Sequence, residues 1–386
     1  MTIAYSPFSE SSMADPSNAY AELHAQAPVH HYEDYDPPFY TLSKYDDVAN
    51  ALRDTKRFSS HWGQGPRFTP PMGMLSNPPQ HTFFRSLVQQ KFTPASIKAM
   101  GPWIEALADE LLDKVADVSA FDVHDDFAFP LPVIIICRIL GIPEKDIEKF
   151  KVWSDASVEA MGSEDPAPWA EKMEAMASFQ LAQVEERRNM ENPPDDLVTL
   201  LVQTEHEGEP LPDPQILSVF NQLFVGGNET TTSLITNCVW RLLERPALWQ
   251  RLVDDPDLVE TALEESLRFD PPVLGLYRTT TEDVELRGVT IPQDAKVMLH
   301  YAAANRDPEI FENPYEFSLD RKKNKRHLAF GLGVHFCLGS ELARMEARTA
   351  LKALVKRFPD LTLENAGERI KPFFLWGRKR LPVQVG

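Results

Sequence analysis

Along most of this chain apolar residues recur at spacings of three and four, the signature of helices that bury one face. Thr93-Pro94 predicts a helix start that runs through roughly Val118, and Glu144 opens another helix. Asp213-Pro214 reads as a cap and first-turn proline ahead of a very long run, from Gln215 to about Glu244. About 30 helical residues span roughly 45 Å, enough to traverse the molecule. Leu338, Leu342 and Met345, then Leu351 and Leu354, predict a further helix with Ser340 as a possible cap. Strand signals are short: His30-His31, Phe39 to Leu42, Val284 to Leu286, Val289 to Ile291 and Lys296 to His300. A closing pair is expected near Phe373 to Leu375 and Leu381 to Val383. The pattern predicts a mainly α fold with small sheets.

With 386 residues, 43% hydrophobic, the chain can bury a large core. Its 32 prolines punctuate helical segments rather than gathering in a linker, and no repeat is present, so residues 1–386 are expected to form one domain. The best apolar run, Phe127 to Cys137, is too short to cross a bilayer and contains Pro130 and Pro132. With no basic, apolar leader at the start, a cytoplasmic protein is expected, free of membrane contact. A net charge of −19 argues against nucleic acid as a partner. Against that background the cluster Arg321-Lys322-Lys323-Asn324-Lys325-Arg326 stands out, either as a solvated loop or as a surface that steers an acidic partner.

Three cysteines without a C-x-x-C support neither a disulfide framework nor a structural zinc site. Cys137 and Cys238 lie in apolar helical runs and read as core. Cys337 differs, because it follows the glycine-broken aromatic loop Phe330-Gly331-Leu332-Gly333-Val334-His335-Phe336 and runs into a helix. Glycines let such a loop turn sharply beneath a flat ligand, and a helix N-terminus favours a thiolate, the form of cysteine that binds metals. A small buried cysteine in a tight turn is the alternative. The middle of the long helix, Val225-Gly226-Gly227-Asn228-Glu229-Thr230-Thr231-Thr232, combines residues that weaken helices, which suits a groove where a ligand approaches the backbone. A threonine beside a carboxylate can order water and pass protons. Glu265 and Arg268 stand at i and i+3, which alone would be a surface ion pair of little worth. His81 and Arg85 lie one turn apart, suited to a carboxylate, and Arg278 ends a mostly apolar segment.

In order and spacing these features resemble the cytochrome P450 superfamily of haem-thiolate monooxygenases, in its soluble bacterial form, over essentially the whole chain. The haem-binding signature Phe-x-x-Gly-x-x-x-Cys-x-Gly matches at Phe330, Gly333, Cys337 and Gly339. Glu-x-x-Arg matches at Glu265 and Arg268, and the oxygen-activation motif at Gly226, Gly227 and Thr230. The resemblance implies the P450 fold, a large helical bundle with small β-sheets. It implies haem b with Cys337 as its metal ligand, and contacts to the group from Phe330, Gly331, Leu338 and Gly339. It also implies propionates held by His81, Arg85, Arg278 and His335, and a structural ionic cluster of Glu265, Arg268 and Arg321. Thr230 and Glu229 would deliver protons during oxygen activation. The chain departs from the pattern at Gly226, where alanine is usual, and in lacking a proline two residues before Arg321.

The activity that the resemblance implies is that of a monooxygenase, oxidising an apolar small molecule with O2. Its two electrons would come from a separate donor, a ferredoxin or flavodoxin with an NAD(P)H-dependent reductase, since no dinucleotide fingerprint or ferredoxin cysteine set is present. Lys322 to Arg326, Arg344 and Arg348 are the docking candidates. The alternatives are a peroxide-using haem-thiolate enzyme, a haem or gas-binding protein, and a thiol hydrolase using Cys337 and His335; the pair Glu229 and Thr230 speaks against the first two. Met72, Met74, Val225, Gly226, Leu274 and Phe374 are expected to line the substrate pocket, suited to a terpenoid, steroid, fatty acid or aromatic ligand. Trp169, Met173 and Met176 are candidates for a mobile lid.

Overall fold

The computed structural model describes residues 3, 5–144, 147–163, 165–322 and 324–386. Helices dominate, and the longest runs through the centre. Asp213–Leu243 is a single 31-residue helix that stays regular across its glycine pair. It is buried almost all round in its second half because neighbours cover it on several sides: Pro130–Leu140, Leu258–Phe269 and Ser340–Arg357 all pack on it. Pro212 rather than Asp213 occupies its N-cap, and the Asp213 carboxylate instead pairs with Arg188. Thr93 caps Pro94–Asp113 by accepting from the Ser96 N–H at 3.1 Å, and that helix ends before Val118. The helix expected to open at Glu144 begins at Ile147, just past two residues outside those described.

One large core cluster extends from Ile3 to Val383, joining both ends of the chain to the helical centre. A smaller cluster fills the space under a five-stranded sheet, ordered Val29–Tyr32, Phe39–Leu42, Lys296–Leu299, Leu276–Thr280, Phe58–Ser59. Lys296–Leu299 runs parallel to Phe39–Leu42 and antiparallel to Leu276–Thr280, which places Arg278 opposite Val297 in the middle of the sheet. Val284–Leu286 and Val289–Ile291 form the hairpin that the Arg287-Gly288 turn predicts. The closing pair differs from expectation. Phe373 to Leu375 is not a strand: Leu375 makes only an isolated bridge with Val273. Pro382–Gln384 pairs instead with Ala120–Asp122 and Thr362–Leu363, and Arg378–Arg380 with Glu368–Arg369. Among the described residues no helix is long and apolar enough to cross a membrane.

Candidate active site

Two segments far apart in sequence face each other across one cavity of about 330 Å³. One is the cysteine loop, the other the glycine-containing middle of the long helix. Gly331 and Gly333 adopt φ of +67° and +73°. At Gly333 a Cβ would stand 2.7 Å from the Leu52 carbonyl oxygen, so the turn excludes any side chain there. The Cys337 N–H closes the loop by donating to the Phe330 carbonyl at 2.9 Å. The helix after the loop, Ser340–Arg357, has Gly339 at its N-cap, and Ser340 lies inside it rather than capping it. Cys337 therefore precedes the helix, and its sulfur accepts from the Gly339 N–H. Burial pushes the thiol up, against the opposing pull of that N–H and of Arg85 and Arg344. Cys337 nevertheless lines the cavity.

Across the cavity, Gly226 presents bare backbone: a Cβ added there meets nothing within 4 Å. Thr230 lines the same wall and donates to the Gly226 carbonyl at 2.7 Å. Glu229 does not join it. Successive helix residues point about 100° apart, and Glu229 turns toward the helix Ile147–Gly162, where its Oε1 accepts from Ser154 Oγ at 2.7 Å. Asn228 donates to the same serine oxygen at 3.1 Å. Burial pushes the Glu229 carboxyl up, with Ser154 pulling the other way. The expected relay pair is thus split, Thr230 in the cavity and Glu229 in a polar pocket behind it.

At one side of the cavity a set of cations and imidazoles converges. Arg85, Arg278 and His335 line it, and the His81 ring sits 4.5 Å from that of His335. Arg278 is 2% exposed, and the one side-chain hydrogen bond it makes among the described residues goes to its own neighbour's carbonyl, Tyr277, at 2.8 Å. Both ring nitrogens of His81 are buried without a partner. Neither Arg85 nor Arg278 meets a carboxylate among the described residues. Burial, reinforced by Arg278, His81 and Arg85, drives His335 down to about 3, so it is neutral in this field. Ser60 Oγ lies 3.3 Å from its Nε2 and Gln64 Nε2 3.5 Å from its Nδ1. A buried cluster of positive charge with no internal anion calls for one from outside.

Glu265 and Arg268 are fully buried at the end of Leu258–Phe269. Arg268 reaches both Glu265 oxygens, at 2.9 and 2.7 Å, and also the carbonyls of Asn305, Pro314 and Glu316. Arg321 Nε lies 3.0 Å from both Glu265 oxygens, and its other nitrogens reach the carbonyls of Glu312, Asn313 and Glu316. The i, i+3 pair that looks superficial in sequence therefore ties the loop 305–321 to the helical core.

A sequence model of the family described as Cytochrome P450 matches residues 13–383. The chain is a cytochrome P450. Among curated relatives, the erythromycin C-12 hydroxylase of Saccharopolyspora erythraea is 38% identical over 354 residues, covering 89% of this chain and 88% of that protein. The P450 monooxygenase PikC of Streptomyces venezuelae is 36% identical, covering 96% of this chain and 91% of that one. The crystal structure of CYP109E1 from Bacillus megaterium in complex with testosterone superposes with a TM-score of 0.88 at 34% identity, covering 98% of this chain and all of that one.

P450 enzymes use haem, and this P450 fits the group on its own geometry. It has a single thiol opening onto the cavity, an orphaned His81, and an Arg278 guanidinium with no anion. Of the pocket candidates, Met74 and Gly226 line the cavity, while Met72, Val225, Leu274 and Phe374 do not. Met72 is exposed, Val225 packs against the core, and Leu274 and Phe374 are buried in the core, joined by a backbone hydrogen bond of 2.8 Å. Leu75, Gln222, Leu223, Val273 and Leu276 take their places. Leu276 was legible from strand parity, because it shares a sheet face with Arg278. The strand begins only at Leu276, so its parity does not extend back to Leu274, and Val273 reaches the cavity instead.

Glu346 went unnoticed in the sequence: it lines the cavity fully buried, one carboxylate oxygen without a partner, and burial raises it well above the usual range. The lid candidates do not reach the cavity either. Trp169 donates to Glu159, Met173 is exposed, and Met176 is buried beside Ser157. The basic cluster is largely engaged within the chain: Arg321 with Glu265, Lys325 with Glu260, Arg326 over the Tyr45 ring, and Arg344 with Glu264 at 2.6 Å. Lys323 lies outside the described residues.

Proposed function

We propose that this P450 holds haem b and hydroxylates an apolar organic molecule of steroid, terpenoid, fatty-acid or aromatic type, drawing two electrons from a separate ferredoxin or flavodoxin and its NAD(P)H-dependent reductase. The observation that carries this reading is the placement of Cys337 and of the Gly226–Thr230 stretch on one cavity, with an anion-hungry cluster at its side. When bound, the haem supplies the activation of O2, and Cys337 is the residue that holds its iron as thiolate. Arg278, Arg85, His81 and His335 bind the propionates through charge-assisted hydrogen bonds. Phe330, Gly331, Leu338 and Gly339 form the wall next to the sulfur. Thr230 holds a hydroxyl in the cavity at the spot Gly226 leaves open, and passes protons there. Glu229, with Ser154 as its partner, is the buried acid behind that position.

The substrate class follows from the wall, where Leu75, Leu223, Val273 and Leu276 are apolar. A relative named erythromycin C-12 hydroxylase and a neighbour crystallised with testosterone agree with an organic small-molecule substrate. Lys322 and Arg348 are the docking cations that remain among the described candidates once Lys325, Arg326 and Arg344 are assigned to Glu260, Tyr45 and Glu264. The test is the absorption spectrum of the dithionite-reduced protein with and without carbon monoxide. A strongly red-shifted Soret band, lost in Cys337→Ser, is expected. A band at the position of imidazole-ligated haem, or none, would refute the reading.

A further inference from the structure

Gln222 lies on the long helix one turn before Gly226 and lines the same cavity. Its carboxamide is used at both ends. Nε2 donates to the Met72 carbonyl at 2.8 Å and to Ser218 Oγ at 2.7 Å, while Oε1 accepts from the Met74 N–H at 3.1 Å. A carboxamide offers a donor and an acceptor side by side, as a peptide group of a neighbouring strand would, and no other side chain of this length and flexibility does so. The residue between the two contacts is Gly73, at φ +63°. A Cβ there would stand 3.1 Å from both Gln222 Nε2 and Val219 Cγ2, so the loop is pressed directly onto the helix. Ser76 Oγ closes the turn on the Gly73 carbonyl at 2.5 Å. The far end of the loop is tied separately, through Asn77 to the Ser60 N–H at 3.0 Å and to Ser59 Oγ at 2.6 Å.

Between these ties the loop presents Met74 and Leu75 to the cavity, whereas Met72 does not line it. We propose that Gln222 is a positioning residue that sets substrate specificity: by splinting Met72 and Met74 to the long helix it fixes where Met74 and Leu75 stand, and hence the size of the chamber. This rests on reading the cavity as the substrate chamber. The physical reason is that, although His335 also holds the Met74 carbonyl, the two hydrogen bonds to Gln222 are what tie the loop to the long helix, so one amide decides between a wall seated on that helix and a receding one.

The experiment uses the haem-loaded protein and its Gln222→Met and Gln222→Glu variants. Methionine keeps the length and removes both hydrogen bonds; glutamate keeps the acceptor for Met74 and loses the donor to Met72. Amide exchange at Met74 should rise about tenfold or more in Gln222→Met and by less in Gln222→Glu, with exchange along the long helix unchanged. Optical titration with imidazole and 4-phenylimidazole should leave imidazole affinity within about twofold of wild type and shift that of the larger probe by about fivefold or more. Unchanged exchange at Met74, or exchange that spreads along the helix, overturns the proposal. So does a loosened loop with an unaltered ratio of the two affinities. If neither probe shifts the Soret band of the wild-type protein, the reading of the cavity itself falls, which the exchange data distinguish.

Discussion

Glu265→Gln is the sharpest test of how this P450 is held together beneath its cavity. The substitution preserves shape and removes one charge. Both partners of the Glu265–Arg268 pair are fully buried, and Arg321, with only 9% of its side chain exposed, leans on the same carboxylate. Five hydrogen bonds end on the two Glu265 oxygens, from Arg268, Arg321 and the Ser318 N–H. An amide nitrogen at one of those positions would face guanidinium donors, and two cations would share a site with no anion. Breaking a buried pair by removing one partner costs about 3–5 kcal/mol, against about 5–15 kcal/mol for the stability of a whole domain.

With a urea slope of about 3 kcal/mol/M, the midpoint should fall by about 1–1.7 M. The loop 305–321 should become open to proteolysis, because Arg268 and Arg321 hold its carbonyls. Replacing Glu265, Arg268 and Arg321 together by leucine and methionine should recover part of the loss, since an apolar substitute removes the desolvation penalty along with the charges. A midpoint for Glu265→Gln within about 0.3 M of wild type would mean that the cluster is solvated and does not hold the loop.

Three other outcomes are expected from the geometry. Thr230→Ala should leave haem and substrate affinity within about twofold while diverting electrons to peroxide; unchanged coupling of NAD(P)H consumption to product would remove Thr230 from proton delivery. Gly226→Ala should fold and gain up to about 1 kcal/mol in thermal unfolding, because its Cβ meets open space in a helix interior, whereas a loss would show the helix distorted there. Glu264 is held down to about 2: burial raises it, but hydrogen bonds from His327 and Arg344 outweigh that. His327 is itself lowered by burial, which makes Arg344 the steadier partner. A carboxyl held below its ordinary value contributes stability that is present above pH about 4.5 and lost as pH falls toward about 2. Glu264→Gln should therefore flatten the decline in stability across that window, worth on the order of 3 kcal/mol; an unaltered acid limb in urea titrations would contradict it.

The parts of this protein that sequence determined by itself are those in which one local rule acts alone. Helical periodicity and Thr93-Pro94 placed a helix start to the residue, and helical spacing on both sides of a polar, glycine-containing middle announced the long central helix. Gly331 and Gly333 announced a loop that only glycine can form. The motif spacing around Cys337, Glu265 and Gly226 announced the family. Tertiary structure decided whatever depends on direction or partner. Glu229 and Thr230 are neighbours in sequence yet open onto different spaces, because the helix rotates by about 100° per residue. Leu274 lost the cavity to Val273 because the strand whose parity would have aimed it there starts only at Leu276. The end of the chain pairs with Ala120–Asp122, a strand too short to signal itself. Burial turned an ion pair of a kind that is worthless on a surface into the tie of a long loop, since the strength of a charge contact depends on the dielectric around it, and only the fold supplies that.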